Sequence, residues 1–167
     1  MHLIIDGYNL LHVHRSLINL NSTQLQWERE RLVDRLSTYQ KHKSCGVTVV
    51  FDGWQEGWST ETRERKKGIE ILFSKVGEKA DEVIKRLVRE KGSGAIVITS
   101  DRDVARYAQR MDIAVIASEQ FREKLERGFS DMFEENPEEE ENGTKKKGPS
   151  RRLSKKEKRT RAASKKL

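Results

Sequence analysis

Cysteine is nearly absent from this chain: Cys45 is the only one among 167 residues. No internal disulfide framework can form, and a reducing, intracellular setting is the expectation. Long apolar runs are missing too, and none approaches the length a bilayer demands. The start lacks a charged stretch followed by an apolar core and a small-residue cleavage site. These absences point to a cytoplasmic chain with no membrane partner. The four histidines, His2, His12, His14 and His42, are scattered, and no Ser–His–Asp or Cys–His arrangement is visible. There is no glycine-rich phosphate loop of the P-loop kind, and "DGYN" is not a dinucleotide fingerprint.

Basic excess is what the chain does have, but it is unevenly placed. Residues 134–144 hold six acids and no base, while residues 145–167 hold twelve Lys or Arg against Glu157 alone. Of the formal charge of +7, that leaves only +2 to residues 1–133. The basic character belongs to an appended arm rather than to the globular part. Pro137, Pro149 and the single-sign charge blocks argue for a disordered, charged C-terminal tail. The chain is therefore divided into a domain over 1–133, an acidic linker over 134–144 and a basic tail over 145–167.

Within the domain, two textures alternate. Short β-branched runs stand at 2–5, 47–51, 69–73, 95–98 and 113–116. Amphipathic stretches lie between most of them. "STQLQWERERLVDRLSTYQKH" opens on a capping box of Thr23 with Gln26, and "KADEVIKRLVREKG" stops at Gly92. "DRDVARYAQRM" and "SEQFREKLERGFSDMF" carry apolar faces at Val104, Tyr107, Ala108 and Met111, and at Phe121, Leu125 and Phe129. Strands that are apolar throughout suit a sheet covered on both faces, so the fold class is α/β with a mostly parallel sheet flanked by helices. The segment "DGWQEGWSTETRERKKG" breaks the pattern. It reads as a surface loop with room for a short helix after Ser59, and leaves the Phe51/Ile69 pair open to being antiparallel or an edge.

Four acids stand out by position. Asp6, Asp52 and Asp101 each follow a strand, and Asp81 opens the helix after the third strand. In an open parallel sheet the strand C-termini share one edge, where ligands bind. Taken singly, Asp6-Gly7 and Asp52-Gly53 suit ordinary turns, Asp101 or Ser100 suits a helix cap, and Asp81 suits a first-turn position. Those separate explanations do not account for a shared edge. Converging carboxylates repel one another, and a hard divalent cation, Mg²⁺ or Mn²⁺, removes that cost. Asp6, Asp52, Asp81 and Asp101 are the metal candidates. Asn9 is placed to turn its amide toward a phosphate or a ligand water, or to cap a turn. Ser100 is placed to hold a carboxylate or water from behind, with Asp103 and Glu82 less directly aimed.

"IIDGYN", "VVFDG", "KADEVI" and "ITSDRDV", in that order and spacing, resemble the NYN domains of the PIN-like nuclease superfamily, and within these the YacP-like proteins. The resemblance covers about residues 1–130. It implies a Rossmann-like (PIN-like) parallel sheet and metal-dependent cleavage of RNA, with Asp6, Asn9, Asp52, Asp81 and Asp101 in the positions of the acidic site. It does not cover the tail.

On that basis the expected reaction is hydrolysis of an RNA phosphodiester, a cation activating water and stabilising the leaving oxygen. Trp54 and Trp58 are candidates to stack bases, and Arg63, Arg65, Lys66 and Lys67 to meet phosphates. Lys145–Lys147, Arg151, Arg152, Lys155 and Lys156 make the tail an RNA- or ribosome-associating arm that binds without sequence preference. Two rivals stand beside this reading. One is a non-catalytic RNA- or ribosome-binding protein on the same fold. The other is a metal-dependent phosphotransfer enzyme, which for an aspartyl nucleophile wants a second Asp where Tyr8 stands. DNA stays open as a substrate, since nothing visibly reads a 2′-hydroxyl.

Overall fold

The computed structural model describes residues 1–13, 17, 19–53, 59–133 and 155–166. Their order is β1 (His2–Asp6), α1 (Gly7–His12), α2 (Ser22–Lys43), β2 (Gly46–Phe51), β3 (Thr62–Lys66), β4 (Ile69–Phe73), α3 (Ala80–Lys91), β5 (Ala95–Ile98), α4 (Arg102–Arg110), β6 (Ala114–Ile116), α5 (Ser118–Phe133) and α6 (Lys155–Lys166). The six strands form one sheet in the order β3-β4-β2-β1-β5-β6, parallel except where β3 meets β4.

Strand alternation sends side chains to two cores. Leu3, Ile5, Val47, Val49, Phe51 and Ile98 pack with Leu32, Leu36 and Phe121 on the face covered by α1, α2 and α5. Ile4, Val50, Leu72 and Val97 pack with Val83, Ile84, Leu87, Val104 and Ala108 beneath α3 and α4. Both faces of the central strands are therefore dry, which is why their sequences show no polar alternation. Each fully buried Leu or Ile contributes about 1.5–3 kcal/mol relative to leaving it exposed.

Several local readings change. The segment after Phe51 carries a strand, Thr62–Lys66, not a helix after Ser59. β3 runs antiparallel to β4 and returns through Lys67 and Gly68, whose φ values of 54° and 88° match the two-residue hairpin turn that twists with the strands. β2 and β4 are parallel neighbours, and the return along the sheet edge takes the place of a crossover helix. The capping box on α2 is Asn21 with Gln24, two residues ahead of Thr23 and Gln26. Asp6-Gly7 is no hairpin corner: α1 begins at once.

The last change concerns the tail. Within the stretch expected to be disordered, Lys155–Lys166 form a helix. Ala163 of α6 is buried in the core on the α2 and α5 side, Arg159 pairs with Asp112, and Lys124 Nζ donates to the Ser164 carbonyl at 2.8 Å. Trp54, Trp58, Lys145–Lys147, Arg151, Arg152 and the acidic 134–144 lie outside the described residues, as do the side chains of Lys155 and Lys156. No helix among the described residues is long and apolar enough to cross a membrane.

Candidate active site

β1, β2 and β5 are parallel, so Asp6, Asp52 and Asp101 leave the sheet on one side. Each also serves a helix. Asp6 caps α1, its Oδ1 accepting from Asn9 N at 3.1 Å. Asp101 caps α4, its Oδ1 accepting from the amides of Asp103 (2.8 Å) and Val104 (3.0 Å). Lys79, at the cap position of α3, makes no side-chain cap bond; Asp52 Oδ1 reaches across and accepts from Ala80 N at 2.6 Å. The ordinary explanation and the functional one thus hold together. Three helix N-termini, each with partial positive charge, come to the edge where the acids lie.

Glycine explains the two Asp-Gly pairs, through space rather than turn geometry. A Cβ on Gly7 would lie 2.3 Å from the Phe51 ring, and one on Gly53 would lie 1.9 Å from the Ser74 carbonyl oxygen. Gly53 N donates to Ser74 Oγ at 3.1 Å, so the chain leaving β2 lies flat against the chain leaving β4. That contact fixes where Asp52 emerges.

The acids feel one another. Asp6 is 7% exposed, and burial first, then the charges of Asp81 and Asp52, push its pKa up to about 6. Bonds from Asn9 N and Thr99 Oγ1 oppose the rise. Asp81, half-buried, is raised by burial and then by Asp101 and Asp52. Asp81 is therefore coupled to all three others and forms the middle of the group. Nearby cations are Lys79 and Lys85, which pull Asp81 the other way.

The remaining candidates are placed as follows. Asn9 has its Oδ1 committed to Ser100 N (2.9 Å) and Ser118 Oγ (2.7 Å), which ties α1 to the loop after β5 and to the start of α5. Ser100 Oγ holds the carboxylate of Glu119, not one of the four acids. Glu82 points to solvent and pairs with Lys85 at 2.7 Å, and Asp103 is exposed beside Arg106. The basic run is already paired in part: Arg63 faces Glu70 at 3.3 Å, whereas Lys66 and the turn residue Lys67 face Glu30 and Asp34 of α2 at 3.2 and 2.6 Å, and Arg65 is exposed. Sequence reasoning missed Thr99, which donates to Asp6 Oδ2 at 3.2 Å and accepts from Asp101 N at 3.1 Å. It also missed Ser118 and Glu119. The rule that found the acids, a polar residue just past a strand, applies equally to the residues after β6.

A hard divalent cation suits this donor set chemically: all oxygen, mutually repelling, with hydrogen bonds among the described residues occupying one oxygen each of Asp52 and Asp101. Among the described residues no three His, Cys, Asp or Glu side chains converge closely enough to cage an ion by themselves. Mg²⁺ is commonly held by one or two carboxylates, with waters and substrate phosphate completing its shell, and Asp81 with Asp52 or Asp101 fits that mode.

A family model described as the YacP-like NYN domain matches residues 3–165. The chain belongs to the YacP-like NYN domain family. The match runs through α6, beyond the stretch over which the motifs carried the resemblance. The chain is 30% identical over 102 residues to "Uncharacterized protein YacP" of Bacillus subtilis (strain 168), an alignment spanning 59% of each chain. The crystal structure of Rae1 (YacP) from Bacillus subtilis aligns with a TM-score of 0.59 at 25% identity, over 80% of this chain and 79% of that one. The crystal structure of a mutant of that same protein aligns with a TM-score of 0.62 at 24% identity, over 78% of this chain and 79% of that one. NYN domains have the PIN-like nuclease fold, a class that cleaves RNA and generally depends on divalent metal.

Proposed function

We propose that this YacP-like NYN protein is an endoribonuclease that hydrolyses RNA phosphodiester bonds at the acidic edge of its sheet, using Mg²⁺ or Mn²⁺. The observation that carries the reading is the gathering of Asp6, Asp52, Asp81 and Asp101 at one edge, where burial first and then their mutual charge raise Asp6 and Asp81. A fold keeps such repulsion only where something offsets it, and buried perturbed carboxylates mark reactive sites. A bound cation would supply an activated water and stabilise charge on the leaving oxygen.

The chain's own residues supply the rest. Asp81, with the oxygen of Asp52 or Asp101 that caps no helix, would hold the cation. Thr99 and Asn9 N hold the Asp6 carboxylate still, at the back of the group. Asn9, Ser100 and Ser118 lock the β5, α1 and α5 ends together, so the acids keep their spacing. Lys79 and Lys85 lie near enough to Asp81 to draw an RNA phosphate toward it. The basic tail, with Arg151, Arg152 and its lysines, adds sequence-independent attraction for RNA or a ribonucleoprotein such as the ribosome. The setting is cytoplasmic.

The test is cleavage of a panel of single-stranded and structured RNAs in Mg²⁺, Mn²⁺ or EDTA. The wild type is expected to cut only with metal, and Asp81→Asn to cut at least about a hundredfold more slowly. RNA binding without metal-dependent cleavage, alone and with ribosomes added, would instead select the binding-module reading.

A further inference from the structure

On the α2 face of the sheet, a cavity of about 200 Å³ lies between α2 and the β3–β4 hairpin. Phe51 and Phe73 form its floor, and Arg29 lines it from α2. Gln26 and Glu30 of α2 and Glu64 and Lys66 of β3 stand at its rim. The depth is apolar, lined also by Val33 and Ile71. The two rings stack at 5.6 Å with 26° between planes, and the Arg29 guanidinium lies over Phe73 at 5.3 Å. Arg29 itself is only 8% exposed, so a planar cation is built into the wall.

The polar groups decide what class of ligand fits. Two cations and two carboxylates cancel, and Lys66 is already paired with Glu30. A phosphate would face Glu30 and Glu64 as it entered, and an aliphatic chain would leave the rim's donors and acceptors unmatched. An uncharged planar ring with hydrogen-bonding edges satisfies both halves. The volume equals that of six or seven liquid waters, roughly, small for a drug-sized ligand and adequate for one nucleobase. Its place completes the case: Phe51, in the floor, is bonded directly to Asp52 of the acidic edge.

We infer that this cavity receives one unpaired nucleobase of an RNA whose backbone crosses the acidic edge, with Gln26, Glu30 and Glu64 reading the ring's edge. Single-stranded RNA is commonly recognised this way, by bases splayed from the backbone into pockets with polar rims. The identity of the ligand rests on the nuclease reading above; the cavity's chemistry does not.

The experiment uses the full chain in EDTA and a set of short single-stranded RNAs carrying 2-aminopurine at successive positions. One position is expected to change its fluorescence on binding, while the others do not. Gln26 is exposed on α2, so Gln26→Trp should cover the mouth and leave the melting temperature unchanged. That variant should abolish the signal and weaken binding about tenfold. Gln26→Ala should keep the signal and alter which base is preferred. Equal binding and fluorescence in wild type and Gln26→Trp would overturn the inference and mark the space as water-filled. Cleavage by wild type and Gln26→Trp at equal rates with the same base preference would also overturn it while leaving the nuclease standing. A position-specific signal in a chain that never cuts would overturn the nuclease and keep the cavity.

Discussion

Asp6 accepts two hydrogen bonds, which favour its charged form, yet burial beside Asp81 and Asp52 outweighs them and lifts it to about 6. The consequence for stability has a definite sign. Between about pH 4 and 6 the folded chain keeps a proton on Asp6 that the unfolded chain, near 3.8, has released. Stability contributed by this residue therefore falls as pH rises through that window, and the full cost is present above it. Two pKa units correspond to about 3 kcal/mol at most. Asp6→Asn should accordingly be the more stable protein at pH 8, by up to that amount, and should lose its advantage near pH 4. Urea melts of both proteins at the two pH values measure it; a variant no more stable than wild type at pH 8 would contradict the cost of holding Asp6 charged in this buried, acidic place. Such a gain with loss of cleavage is the usual trade at a functional site.

At the scale of elements, what could be read from residues depended on where each element gets its stability. β1, β2, β4, β5 and β6 announced themselves because their side chains are buried on both faces. β3 did not, since "TRERK" has no apolar face; it is a strand because β4 offers an edge and Lys67-Gly68 makes the turn. Its charges are what an edge strand needs to avoid pairing with another chain. The four acids were legible because strand ends are legible. The tie from Thr99 to Asp6 and the tie from Ser118 to Asn9 were not, since hydrogen bonds across 93 and 109 residues leave no local pattern. α6 was hidden by composition. A 12-residue helix of mostly Lys, Arg and Ala is marginal alone, so docking must hold it. Ala163→Glu, which forces a charge into that contact, should undock α6 with a global cost of about 1 kcal/mol or less. Amide exchange over 155–166 should then approach that of an unfolded peptide while the sheet stays protected. Unchanged exchange would mean that Arg159–Asp112 and Lys124–Ser164 suffice to hold it.

Across the described residues, the acids and α6 sit at opposite ends of the strands. The acids lie beyond the C-termini of β1, β2 and β5, while α6 lies against Met1, Ala95 and Ala114, where β1, β5 and β6 begin. A cluster of acids at a cleavage site repels RNA, so net attraction has to come from elsewhere on the surface. On the proposed reading that task falls to residues 145–167, whose excess is far larger than the +2 of residues 1–133. Deleting them all would also remove α6 and confuse binding with folding. Changing Lys145, Lys146, Lys147, Arg151 and Arg152 to Gln separates the two, because α6 begins only at Lys155. The variant should melt with wild type yet bind RNA more weakly and equally so for every sequence. Each phosphate that the tail no longer neutralises should flatten the slope of log K against log salt by about 0.7 on single strands. Titrations at several salt concentrations read that slope directly, and a slope unchanged by all five substitutions would place RNA attraction on the domain surface instead of the tail.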